Sequence, residues 1–170
     1  MDFRTKVELP IGTAEIRHNE QILLFGSCFS EHIGNKLLSS KFLCDLNPFG
    51  VLYNPLSIAK AMRELLEGKI YKEDDLVMHN GLWHSWMHHG SFSMSSSQDC
   101  LAKINSRMAC SASNLAQASW ILITWGTAWV YEKKEDGQIV GNCHKFPEKM
   151  FSRRLLDVNE IVTIYTDLIT

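Results

Sequence analysis

The sequence predicts an α/β protein in three layers, with helices on both faces of a mainly parallel sheet. "QILLF" at residues 21–25 is an uninterrupted apolar run, typical of a strand that is covered on both faces. A turn of small residues follows at 26–28, and the apolar residues of "FSEHIGNKLLSS" at 29–40 then recur at helical spacing. Ser30 is the expected N-cap of this helix. Strand, small-residue turn and helix together open a βαβ unit.

A second strand and a second helix come next along the chain. The strand is predicted around Phe42–Leu46, and a turn that contains Asn47 and Gly50 follows it. Pro55 suits the first turn of the next helix, and Gly68 suits the position just beyond its end. These elements continue the alternation of strand and helix.

The second half of the chain predicts a long helix and several strands. The helix spans 98–118, with a break expected near Cys110–Ser113. "SWILITWGTAWVYE" at 119–132 indicates a buried strand, a Gly-Thr turn and a second short strand. Asp136-Gly137 predicts a hairpin turn.

Length and composition indicate one domain over residues 1–170, with "IGTAEI" at 11–16 as a short additional strand. The chain is 45% hydrophobic and 21% charged, and its net charge of −2 gives no reason to expect nucleic acid or an anionic membrane as partner. The first ten residues lack the apolar core of a signal peptide, and no apolar run is long enough for a bilayer. We therefore expect a cytoplasmic location.

The end of the chain carries a further expectation. A helix capped at Asp157 or Asn159 begins there, and the sequence then stops on apolar residues without a closing charge or cap. This pattern is typical of a domain cut short at its C-terminus. In that case an unpaired sheet edge and an exposed helix face would favour self-association.

Five cysteines without an export signal indicate reduced thiols. None forms a C-x-x-C pair, so a cysteine-based zinc ribbon is not expected. No glycine-rich phosphate loop follows the first strand, and therefore no nucleotide cofactor is predicted.

Five ordered motifs, "FGSCFS", "NPFGVLYNP", "HHGSFS", "WGTAWVY" and "GNCHKFP", closely resemble the GSCFA domain family. That family is regarded as a distant relative of the SGNH, or GDSL-like, hydrolases. The resemblance implies a flavodoxin-like fold of the SGNH type and an activity on ester bonds. One departure stands out: the Asp-x-x-His segment that supplies the catalytic base of SGNH hydrolases is absent.

The resemblance implies roles for particular residues. Aligning "FGSCFS" on the "FGDS" of SGNH hydrolases places Cys28 at the nucleophile and Ser27 just before it. A thiol near a helix N-terminus is favoured as the reactive thiolate. Gly50 matches the oxyanion glycine, and a glycine that merely closes a turn is the equal alternative. Gly126 begins the segment that usually reads Gly-x-Asn, with Ala128 in place of the asparagine.

Other residues could complete the site. Asn142 is a candidate replacement for the missing amide donor, although a turn asparagine is the plainer reading. His89 or His144 could serve as base in place of the absent histidine, while an ordinary hydrogen-bonded histidine is the alternative for each. His84 and His88 are spaced four apart, as in some zinc sites, but the flanking tryptophans favour a packed strand and no metal.

The sequence thus predicts hydrolysis or transfer of an ester-linked acyl group, on a small molecule or a carbohydrate. Cys28 or Ser27 would attack the carbonyl, a histidine would take the proton, and Gly50 would help to hold the oxyanion. A catalytically inactive relative that binds a glycan or a protein is the alternative, and a truncated fragment without function is the third possibility.

Overall fold

The structure is a computed structural model that describes residues 14–169. The strand expected at 11–16 lies partly outside this range, and its described residues, 14–16, form no strand. No helix within 14–169 has the length and apolar character needed to cross a membrane.

The regular elements of the described range are as follows. The strands are β1 (Gln21–Phe25), β2 (Leu43–Leu46), β3 (Leu76–His79), β4 (Leu82–Ser85), β5 (Ala118–Ile123), β6 (Trp129–Lys133), β7 (Ile139–Val140) and β8 (Phe151–Leu155). The helices are α1 (Cys28–Ser39), α2 (Pro55–Leu66), α3 (Ser97–Ala116) and α4 (Val158–Ile169). Short 3-10 turns lie at Glu73–Asp75, Gly90–Phe92 and Glu148–Met150.

The principal sheet is parallel and has the order β2-β1-β5. This confirms an α/β protein with a mainly parallel sheet. Strand β1 lies in the middle because its side chains from Ile22 to Phe25 are apolar and buried, as the uninterrupted run predicts. The chain leaves β1 towards β2 on one side and later returns to β5 on the other. The carboxyl ends of β1 and β5 therefore flank the point where the strand order reverses.

Two antiparallel units accompany this sheet. Strands β3 and β4 form a hairpin, and β7, β6 and β8 form a second small sheet. The turn predicted at Asp136-Gly137 joins β6 to β7, with Gly137 at a φ of +71°. The strand predicted in "WHSWMHH" is present only in its first residues, because β4 ends at Ser85.

The core lies between the principal sheet and helices α2 and α3, and it includes Leu23, Phe25, Phe49, Ile58 and Ile104. Helix α2 begins at Pro55, as predicted, and packs against α3 and α4.

Three expectations about element bounds are corrected. Helix α1 begins at Cys28 with Ser27 as its N-cap, so Ser30 lies inside the helix, where its side chain is buried. Helix α3 runs through Cys110–Ser113 without a break. Strand β5 is at a sheet edge within the described range and none of its residues is fully buried, in contrast to the buried strand predicted.

A polar network ties β2 to α3. The buried Asp45 carboxylate forms an ion pair with Arg107 and accepts a hydrogen bond of 2.9 Å from Asn114 Nδ2. Arg107 also donates to the backbone carbonyl of Leu46 at 2.8 Å. Burial alone would raise the pKa of Asp45, but the hydrogen bonds from Arg107 and Asn114 outweigh it and lower that pKa.

Candidate functional site at the sheet edge

The turn after β1 requires glycine at its first position. Gly26 has a φ of +146°, and a Cβ there would come within 2.2 Å of Thr124 Oγ1. Thr124, which follows β5, also lies 2.6 Å from Ser30 Oγ. The ends of β1 and β5 are therefore held in direct contact at the start of α1.

Asn47 fastens the end of β2 to the same turn. Its Oδ1 accepts a hydrogen bond of 2.9 Å from Gly26 N–H, and its own N–H donates to Leu24 O at 2.8 Å. Its φ of +41° suits asparagine, which tolerates left-handed backbone. The loops after all three parallel strands thus converge on Gly26.

The two candidate nucleophiles occupy different environments in this turn. Ser27 Oγ accepts a hydrogen bond of 3.2 Å from Phe29 N–H and so acts as the helix cap. Cys28 is the first residue of α1 and is exposed. This end of a helix carries a partial positive charge. The Cys28 thiol is exposed, while the hydroxyl of the half-buried Ser27 is engaged as the helix cap.

Gly126 lies beside Ser27, as the alignment requires, but its amide is engaged. A Cβ on Gly126 would lie 3.9 Å from Ser27 Cβ. The N–H groups of Gly126 and Thr127 both donate to Tyr53 O, at 2.8 and 3.1 Å. For the Gly126 N–H to bind an oxyanion, its hydrogen bond to Tyr53 O would have to break. The oxyanion role of Gly126 stays a prediction.

Gly50 and His89 are in direct contact. Gly50 has a φ of +78°, and a Cβ there would come 2.3 Å from His89 Cβ. The Gly50 N–H donates to Asn47 O at 2.7 Å, so this amide is also used within the turn. His89 N–H donates to Phe49 O at 2.8 Å, which anchors the histidine to the loop after β2.

The His89 ring presents a donor to solvent. Its Nδ1 accepts a hydrogen bond of 3.2 Å from Ser91 N–H, so in the neutral ring the hydrogen resides on Nε2. His89 lines a cleft of about 280 Å³ with Glu31, Asn47 and Gly50, which we call the edge cleft. Cys28 precedes Glu31 by three residues on α1, so both lie on one face of that helix.

His144 is buried and stays neutral at neutral pH. Its Nε2 donates to Ser85 O at 2.8 Å. Burial, opposed by the Ser85 carbonyl, lowers the pKa of His144 to about 4. Its backbone N–H donates to Asn142 Oδ1 at 2.8 Å, so the asparagine acts locally as a turn residue. His144, Asn142 and His89 line a second cleft, of about 390 Å³, which we call the histidine cleft.

The predicted residues therefore fall into two groups. The first group contains Ser27 and Gly126. The second contains Gly50 and His89, and His89 also lines the histidine cleft. Within residues 14–169, the Cys28 side chain makes no hydrogen bond to His89 or His144. The catalytic assignments stay predictions.

The other two histidines are structural. His84 contacts Ser93 Oγ at 2.6 Å through Nδ1 and His79 O at 3.1 Å through Nε2. His88 is fully buried against Phe49, and burial lowers its pKa to about 3. In the described part of the chain, no group of three or more His, Cys, Asp or Glu residues is arranged to hold a metal ion.

Sequence reasoning missed one contact of the site. The link from Asn47 to Gly26 had no signal in the sequence, because it depends on the pairing of β1 with β2.

Comparisons with known proteins give one match. The model of the GSCFA family matches residues 21–170. Neither the curated proteins nor the solved structures gave a match. The matched region contains the whole parallel sheet and the turn at Gly26, and this chain therefore belongs to the GSCFA family.

Proposed function

We propose that this chain cleaves or transfers ester-linked acyl groups of small molecules or carbohydrates, with Cys28 as the nucleophile. The proposal rests on one observation above all. Cys28 is an exposed thiol on the first residue of a helix, directly after the central strand of a parallel sheet. Ligands of open α/β sheets bind at this edge, where the strand order reverses.

The proposed chemistry has two steps. The Cys28 thiolate attacks the carbonyl carbon, the bond from that carbon to the alcohol oxygen breaks, and the alcohol leaves with one proton. Water then attacks the resulting thioester, which releases the carboxylic acid and restores the thiol. The proton that the thiol gives up passes to the leaving alcohol, and a proton from the attacking water returns to the sulfur. We assign this proton transfer to His89, which lines the edge cleft.

A three-layer fold of the SGNH type is part of the proposal. The chain moves from β1 to β2 through α1, and towards β5, on the opposite side of β1, through α2 and α3. Crossovers between parallel strands are almost always right-handed, so these opposite movements would place α1 and α3 on opposite faces of the sheet.

Thiol alkylation tests the nucleophile, and the chain supplies its own control. Cys110 is also exposed, but it lies inside α3, away from any helix N-terminus. We expect iodoacetamide at pH 7 to modify Cys28 several-fold faster than Cys110, with sites resolved by peptide mass spectrometry. Equal rates at the two sites would contradict the assignment of Cys28.

A catalytically inactive binding module is the second candidate. The observation in its favour is that the amides of Gly50 and Gly126 already donate to Asn47 O and Tyr53 O. Neither amide is free for an oxyanion in this arrangement. The binding module predicts that Cys28 is alkylated no faster than Cys110, because a binding site has no need of a reactive thiol.

A further inference from the structure

The histidine cleft is lined mainly by basic and polar side chains. It lies between the β3–β4 hairpin and the loop at 141–145, and its ten lining residues include four histidines and Lys145 but no aspartate or glutamate. The chain as a whole has 19 acidic residues against 17 lysines and arginines. The lining therefore departs from the rest of the molecule in the sign of its charge.

The polar side chains of this cleft present donors. Asn142 Oδ1 is occupied by the N–H of His144, which leaves its Nδ2 as the free group. His89 Nδ1 is occupied by Ser91 N–H, which leaves its Nε2–H. Because these acceptor atoms are already occupied, the Asn142 and His89 side chains offer hydrogen-bond donors to the cleft.

Lys145 adds a full positive charge at the rim. It is exposed, and within residues 14–169 no carboxylate forms an ion pair with it. His144 and Lys145 have φ values of +47° and +60°, an arrangement that is uncommon for two successive residues other than glycine. Such backbone costs free energy and persists where surrounding contacts enforce it.

The floor of the cleft is aromatic. The rings of His84 and His144 are tilted against each other with centroids 4.3 Å apart. His144 is neutral at neutral pH because burial lowers its pKa. Leu82 adds an apolar wall. The cleft thus combines a donor-rich rim with a less polar interior.

We propose that the histidine cleft binds a small organic anion through a carboxylate or phosphate group. Lys145, Asn142 Nδ2 and His89 Nε2 would hold the charged group, and the ring faces would contact the uncharged part. The volume of about 390 Å³ exceeds that of the anionic group alone and suits a small metabolite. This site shares His89 with the proposed acyl chemistry but does not depend on Cys28.

Glu31 is an acidic residue that shares a cleft with His89. Glu31 lines the edge cleft and not the histidine cleft. It does not interrupt the donor-rich surface formed by Lys145 and Asn142.

Histidine-ring NMR tests the proposal with inorganic phosphate and acetate as probes. The full chain, labelled at histidine, is titrated with each probe at pH 7.5 against sodium chloride of equal ionic strength. We expect saturable shifts of the His89 and His144 rings, with a dissociation constant on the order of 1 mM for the better probe. The preferred probe shows whether the site favours phosphate or carboxylate.

Two variants and one control localise the binding. Lys145→Asn removes the charge with a residue that accepts left-handed backbone, and we expect affinity to fall about fivefold. Asn142→Asp retains the oxygen that caps His144 N–H but places a carboxylate in the cleft, and saturation should be lost. Lys149→Asn, outside the cleft, should bind like the parent chain.

Either of two results would overturn the proposed anion site. No saturable shift with either probe, in the parent chain, overturns the proposal without recourse to any variant. Equal weakening in Lys145→Asn and Lys149→Asn also overturns it, because it would show a general charge effect. Failure of Cys28 to react faster than Cys110 would leave this proposal untouched, since no step in it uses the thiol.

Discussion

The ion pair between Arg107 and Asp45 offers a quantitative test of how the sheet edge is held. In Arg107→Met the Asp45 carboxylate stays buried and loses the guanidinium, while it retains its hydrogen bond from Asn114. Removing one partner of a buried ion pair costs about 3–5 kcal/mol, but 28% of the Arg107 side chain is exposed, which reduces the effect. We expect the free energy of unfolding to fall by about 2–3 kcal/mol at pH 7.

Urea unfolding measures this loss, with Arg63→Met as the matched control. Arg63 is exposed near the end of α2 and forms no ion pair within residues 14–169, so its replacement should cost less than about 0.5 kcal/mol. The folded-state pKa of Asp45 is lowered, so its contribution is present above the unfolded value of 3.8 and is lost as pH falls through the folded pKa. The deficit of Arg107→Met should therefore shrink near pH 3. Equal losses in the two variants at pH 7 would refute the reasoning.

Two further predictions concern glycine strain and pH. Gly50→Ala should destabilise the fold by about 1–3 kcal/mol more than Gly68→Ala in urea unfolding, since both have a positive φ but only Gly50 would clash with His89. Equal losses would exclude that clash. The pKa of His144 is lowered from 6.5 to about 4, so its contribution to stability is present above pH 6.5 and is lost as pH falls towards 4. His144→Gln should flatten the pH dependence of unfolding over that range, and an unchanged slope would contradict the assignment.

Local sequence signals predicted the elements well. The apolar run at 21–25 predicted the buried strand β1. Pro55 and Gly68 predicted the two ends of α2, because each residue favours a backbone conformation that a helix end requires. The N-cap of α1 was predicted three residues late. Ser30 has the right side chain for a cap, but its hydroxyl instead reaches Phe25 O and Thr124 Oγ1, a contact between distant parts of the chain.

The site was predictable only where a single motif forms it. "FGSCFS" predicted the turn and the helix start, because strand, turn and helix are contiguous. The exposure of Cys28 is known only from the structure. The contact of Gly50 with His89 and the occupation of the Gly126 amide by Tyr53 O join segments far apart in sequence. No spacing rule indicates them, so the sequence presented these amides as available oxyanion donors although both are engaged.

Acyl transfer to Cys28 is the most direct test of the central claim. The chain is incubated briefly with p-nitrophenyl acetate, digested at low pH, and examined by mass spectrometry for acetylated cysteine. We predict acetylation at Cys28 that hydroxylamine removes, with release of nitrophenol reduced in Cys28→Ser and retained in Cys110→Ser. Acetylation spread equally over Cys28 and Cys110, or absent from both, would contradict the assignment of Cys28 as the nucleophile.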